Sequence, residues 1–266
     1  MTQFSKLTYL FCILTIFFFD KGFSQTKDIS SQETRLVKLY SNLLKNLDTD
    51  NDSTEFYSDK FGGEFSSFIK ATPTTLHYPF KKLIDSNYCF IKTSSDGNFR
   101  VYSWNTWKGG TMHFFNEIYQ WKDNGKVFTK VLKYEEGEAG SFCSKIFTVD
   151  IRSKVYYLTI SNGIYSTKDA SQSISVFTIQ NSKLIDTVKL FKTKTKQLSR
   201  INVEFDFFSV VDRPERPLEL ITYDDKQKII YVPVVGDKER VTNKNIKYQL
   251  KDKYFEFIGI ESGKRK

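Results

Sequence analysis

CFIKTSSDGNFRVYSWNTWKGGTMHFFNEIYQWKDNGKVFTKVL runs from Cys89 to Leu132. Short alternating runs of Phe, Tyr, Ile, Val and Thr are broken here by turn residues, which is the pattern of strands and hairpins. Four strands follow: CFIKTS, FRVYSW, HFFNEIYQW and KVFTKVL. Asp96-Gly97 and Asn124-Gly125 supply the positive φ angles that tight hairpins need. The looser WNTWKGGT lies between the second and third strands. In an extended chain Phe99, Val101 and Ser103 share one face, and Arg100, Tyr102 and Trp104 the other. Aromatic groups on the second face predict a sheet covered on both sides.

The same grammar recurs twice downstream. KIFTVD, VYYLTI, SISVFTI and LIDTVKLF form a second copy, and LELITY, KIIYVPV, NIKYQL and YFEFIGI a third. Each copy places a loose connection between two tight hairpins, so the chain contains a threefold repeat of supersecondary units. The expected fold is mainly β, with about twelve antiparallel strands in three four-stranded meanders. Four-stranded meanders build propeller blades, but a closed ring needs at least about four blades. The arrangement is therefore propeller-like or a sandwich.

Upstream the pattern changes to helix. SSQETRLVKLYSNLLKNL opens with Ser30 and Glu33 in capping-box spacing. Leu36, Tyr40, Leu43, Leu44 and Leu47 then fall on one helical face. A second helix is expected near Glu55 to Lys70, weakened by Gly62 and Gly63. Pro73 and Pro79 bracket an irregular connection. One or two helices thus precede the strands, and residues 25–84 form a helical segment packing on a β body of residues 85–266.

Residues 1–24 read as a signal peptide. Lys6 precedes an apolar run from Thr8 to Phe19, and Gly22 and Ser24 suit a cleavage site before Gln25. Twelve helical residues span about 18 Å, short of the roughly 30 Å of a bilayer core. The expectation is an exported protein, periplasmic or extracellular, with no transmembrane segment after cleavage. Cys89 and Cys143 would then be available for a disulfide worth roughly 4 kcal/mol. The alternative is a pair of buried thiols in neighbouring strands.

The formal net charge is +9, yet the lysines are interleaved with acids. The densest basic stretch, Lys189 to Arg200, alternates like a solvated strand and loop. No nucleic-acid reading motif is present, so nucleic acid is not an expected partner.

Sites of chemistry are few. Trp104, Trp107, Gly109, Gly110 and His113 cluster in and beside the first loose connection. With Tyr119 these rings offer a groove for a sugar or peptide; the structural alternative is that they cap the core. Asp48, Asp50 and Asp52 have calcium-loop spacing, but Ser53 replaces the required Gly and Asp59 the bidentate Glu, so a polar loop is the better reading. Two histidines exclude a histidine-rich metal centre. Ser67 and Lys70 match a serine–lysine pattern without its companion motifs. Glu117, Glu135, Glu136 and Glu138 are candidates for a glycosidase carboxylate pair, whose separation a sequence cannot measure. No cofactor or metal is indicated.

The terminal GFSQ of the leader, TLHYPFKKL and the long run from Thr93 to Trp121 resemble exported β-rich proteins of Bacteroidota, a family with no assigned activity. That resemblance implies export and a bacterial envelope setting and brings no catalytic residues. The functional expectation is a non-catalytic envelope or secreted module that binds a glycan, a peptide or another envelope protein. The alternatives are a hydrolase acting on glycans or peptides, and a purely structural partner.

Overall fold

The computed structural model describes residues 28–262 apart from Asp48, Glu136 and residues 212–218. The expected signal peptide and cleavage site lie outside the described residues. Helix α1 covers residues 28–46, α2 Asn51–Ala71 and α3 Lys81–Asp85. Asp50 caps α2: its carboxylate accepts from the backbone N–H of Asp52 at 3.1 Å and of Ser53 at 3.3 Å. The stretch expected to be a polar interhelix loop is thus mostly the start of α2, which begins at Asn51 and not near Glu55. Helix α2 runs straight through Gly62 and Gly63, because Phe61, Phe65 and Ile69 bury one face completely.

Glu33 departs from the expected capping box. Helix α1 already includes residues 28–32, and Glu33 is buried. Its Oε1 accepts from the backbone N–H of Lys82 (2.8 Å) and Leu83 (3.2 Å), and Oε2 from the Tyr78 hydroxyl (2.9 Å). The carboxylate therefore satisfies the free donors of α3 instead of its own helix.

All three meanders form. The first is β1 (Phe90–Thr93), β2 (Phe99–Asn105), β3 (Phe115–Asp123) and β4 (Lys126–Val131). The second is β5 (Phe142–Ile151), β6 (Lys154–Ile164), β7 (Asp169–Gln180) and the short β8 (Lys183–Ile185). Short β9 (Phe191–Lys192) and β10 (Gln197–Leu198) follow, and β11 (Arg200–Asp206) then pairs along β7 and extends the second sheet. The third meander is β12 (Thr222–Asp224), β13 (Ile229–Val235), β14 (Val241–Lys251) and β15 (Tyr254–Ser262). The β9–β10 ribbon joins its edge through a parallel pairing of β9 with β15. Sequence alternation suggests a solvated strand and loop over Lys189 to Arg200, where β9 and β10 lie, but does not single out β11. Two-residue turns at Asn124-Gly125, Arg152-Ser153 and Asn181-Ser182 hold both central residues at positive φ, matching the right-handed twist of their hairpins.

The meanders stack in chain order and do not radiate like blades. One core joins the helices to the first sheet, through Phe61, Phe65, Phe80, Tyr102 and Trp104. A second, with Phe99, Val101, Trp121, Tyr157 and Phe177, joins the first sheet to the second. The largest joins the second sheet to the third, through Leu158, Ile174, Ile230 and Phe255 among others. The first two sheets approach at β1 and β5, where Phe90 and Phe142 stack at 4.1 Å, and together they curl into a half-barrel.

Alternation explains the cysteines. Cys89 and Cys143 neighbour the stacked Phe90 and Phe142, so each side chain leaves the opposite face of its strand. Cys89 enters the helix-facing core and Cys143 the core between sheets. Both are buried free thiols in this structure.

Candidate functional site

The connection between β2 and β3 is anchored on both sides. Ser58 of α2 donates to the Thr106 carbonyl at 2.7 Å, and Lys108 pairs with Asp59 at 2.6 Å. His113 donates its backbone N–H to the Ile164 carbonyl at 3.1 Å. The five residues singled out in the sequence separate. Trp104 is 1% exposed, packed edge-on against Phe61 and Phe65, and belongs to the core. Trp107 is half-buried at φ +58°, and its indole donates to the Tyr40 hydroxyl at 3.1 Å. Its ring still touches His113, at 5.4 Å between centroids.

The two glycines have different reasons to be glycine. A Cβ on Gly109 would lie 2.1 Å from the Met112 carbonyl oxygen, whereas one on Gly110 would meet nothing within 4 Å. Gly109 is fixed by close backbone approach, and Gly110 is open. Gly110 borders two concavities. One, about 640 Å³, lies against α2 and is lined by Trp107, Lys108, Gly109 and Thr54. The other, about 430 Å³, is walled by Phe142, Ile164, Ala170, Phe205 and Phe207, with His113 at its side. Asn105 donates to Nδ1 of His113 at 2.8 Å, and burial lowers the imidazole pKa. With Nδ1 accepting from the Asn105 amide, the neutral form of the ring carries its proton on Nε2.

A third concavity, about 500 Å³, opens inside the half-barrel. Its origin is the period-two alternation. Ser103 faces Glu117 across β2 and β3, and Val101 faces Tyr119. On the opposite wall, Thr159 pairs with Ser175, Ser161 with Ser173 and Gly163 with Ser171, while Arg200 lies across from Ser175. Where the inner face carries Phe99, Trp121, Tyr157 and Phe177 the sheets close on an apolar core. Where it carries hydroxyls and small residues they stay apart, leaving a polar cleft.

Glu117 is at the cleft floor, only 3% exposed. Its Oε2 accepts from the Tyr134 hydroxyl at 2.6 Å and from Ser141 at 3.4 Å, and Oε1 from Ser103 at 3.4 Å. Burial pushes its pKa up to about 7, although these hydrogen bonds and Arg200 favour the charged form. Ser173, on the facing wall, is also buried, and its hydroxyl has no hydrogen-bond partner. The exposed Glu138, Asp186 and Arg200 ring the mouth. An orphan hydroxyl and a carboxyl that changes charge near neutrality, both in an open concavity, mark a polar ligand site.

Sequence reasoning named Glu117, Glu138 and Tyr119 without placing them together, and it missed the serine wall. The one available signal was SQSIS in β7, where Ser171, Ser173 and Ser175 put polar groups on a single strand face. Ser67 and Lys70 lie on the exposed side of α2, away from all three concavities. Glu135 donates its backbone N–H to Glu138 at 3.0 Å, and Glu136 lies outside the described residues. Among the described residues no group of three or more His, Cys, Asp or Glu is arranged to hold a metal, and no helix is long and apolar enough to cross a membrane. The chain matches no protein-family model and no curated protein.

Proposed function

We propose that this is an exported, non-catalytic binding protein of the bacterial envelope or its surroundings, and that it holds a small polyhydroxylated ligand, a sugar or glycan end, in the half-barrel cleft. The supporting observation is the orphan hydroxyl of Ser173 opposite the buried carboxyl of Glu117. Hydroxyls of Ser and Thr exchange donor and acceptor roles freely, as a sugar's hydroxyls require. Tyr119, half-buried where the cleft meets the apolar core, provides an aromatic surface beside it. The expected ligand contact thus moves from the Trp107–His113 connection to the inner wall of the barrel.

Ser173→Ala tests this reading cleanly, because the hydroxyl has no internal bond to lose. Titration calorimetry against a panel of methyl glycosides and disaccharides should give saturable binding in the wild type and at least tenfold weaker binding in Ser173→Ala, at an unchanged melting temperature. Equal affinities, or no binding to any sugar, would sink the proposal.

A hydrolase reading has one observation in its favour: a carboxyl with pKa near 7 suits a general acid, and Glu138 and Asp186 share its cleft. It requires turnover of nitrophenyl glycosides that Glu117→Gln abolishes.

A further inference from the structure

The polar cleft and the apolar cavity beside His113 share a wall. Gly163 and Ser171 line both. The partition is thin: the Tyr165 and Ser171 hydroxyls meet at 2.9 Å. They pass directly over Gly163, where a Cβ would lie 2.8 Å from the serine oxygen and 3.0 Å from the tyrosine oxygen. Gly163 therefore lets the two hydroxyls close a gap that any side chain would fill.

The two spaces differ in chemistry. The cleft side presents hydroxyls, Glu117 and Arg200. The other side presents Phe142, Ile164, Ala170, Phe205 and Phe207. Asn162 and Nδ1 of His113, two of the polar groups on its walls, are already committed. Asn162 donates to Ser144 at 2.9 Å and accepts from Gln172 at 2.7 Å, and His113 accepts from Asn105. At about 430 Å³ the cavity is within the range of small-molecule pockets. An apolar space adjoining a polar site through a two-hydroxyl partition fits one molecule with two unlike ends.

We infer that the ligand is an amphiphile, a glycolipid-like molecule whose sugar head occupies the half-barrel cleft and whose alkyl tail passes Gly163 into the phenylalanine-lined cavity. The inference rests on the proposed sugar site and adds the tail. Tyr165 and Ser171 act as the door, giving up their mutual bond to the head's hydroxyls as the tail enters.

The test is a chain-length series of methyl, butyl and octyl β-D-glucopyranoside, each below its micelle concentration, titrated into the whole protein by calorimetry. Affinity should rise by at least about a hundredfold from methyl to octyl, since each buried methylene multiplies affinity by a few-fold. Ala170→Leu, which fills the apolar cavity, should remove that gain and leave methyl glucoside binding unchanged; the wild-type series decides the matter even if this variant folds poorly. Affinity independent of chain length overturns the tail and leaves the sugar site standing. Absence of binding at every chain length overturns the sugar site, and the tail with it.

Discussion

The Tyr134 hydroxyl lies 2.6 Å from Oε2 of Glu117, so a residue of the irregular β4–β5 connection supplies the shortest hydrogen bond to this buried carboxyl on the barrel floor. Burial raises the pKa of both groups, so the proton stays on the tyrosine. The carboxyl is the member of the pair that titrates near neutrality.

That titration has a definite sign. Glu117 ionises near 4.5 when unfolded and at about 7 when folded, so the native state binds the extra proton between those values. Stability falls as pH rises through this window, by roughly 3 kcal/mol in all. Glu117→Gln keeps an oxygen for Tyr134 and never ionises. It should flatten the pH dependence and exceed the wild type in stability at pH 8. Urea midpoints at pH 5 and pH 8 measure this, and parallel pH profiles would refute it.

The glycines of the β2–β3 connection separate in a similar way. Gly109→Ala must displace the Met112 carbonyl, whereas Gly110→Ala projects into open space. The first should cost about 2 kcal/mol, as overpacking against a fixed backbone does, and the second less than about 0.5 kcal/mol. Thermal melts of the two variants side by side decide it.

Much of this fold is legible in the sequence because alternation is strictly local. The twelve strands of the three meanders and their positive-φ turns can be found one hairpin at a time. Strands β9 and β10 show only as an alternating solvated stretch, because Phe191–Lys192 and Gln197–Leu198 are too short to fix strand bounds, and β11 does not stand out. RINVEFD acquires its meaning only from the long edge of β7. Stacking order was equally hidden, since whether meanders radiate or layer depends on which faces meet. The cleft was invisible for the same reason: Ser161 and Ser173 are polar residues in separate strands until register sets them side by side.

The two tryptophans test the line between core and loop. Trp104→Ala should cost about 4 kcal/mol, as truncation of a sealed aromatic does. Trp104→Phe should be much milder, because the indole N–H it deletes has no partner. Trp107→Ala loses one hydrogen bond to Tyr40 and a half-buried ring, a cost of about 2 kcal/mol. Equal losses from the two alanine variants would contradict the assignment of only Trp104 to the core.

Glu33 gives the most discriminating stability test, because one carboxylate serves three donors from outside its own helix. The Lys82 ammonium is not among them: it lies 2.6 Å from Thr34 and 3.4 Å from Ser30. The contribution is therefore hydrogen bonding to the start of α3 and to Tyr78, not a lysine salt bridge. Glu33→Ala strands two backbone N–H groups and a hydroxyl at a buried site, at a cost of about 3 kcal/mol. In Glu33→Gln the amide oxygen can keep both N–H groups, while the Tyr78 hydroxyl turns to accept from the new NH₂. Its cost should stay below about 1 kcal/mol. Lys82→Ala leaves the backbone donor in place and should cost less still. Urea denaturation of the three variants should therefore rank Glu33→Ala far below Glu33→Gln, with Lys82→Ala near wild type. If Glu33→Gln is as damaging as Glu33→Ala, the carboxylate's charge and not its geometry holds α3 in place.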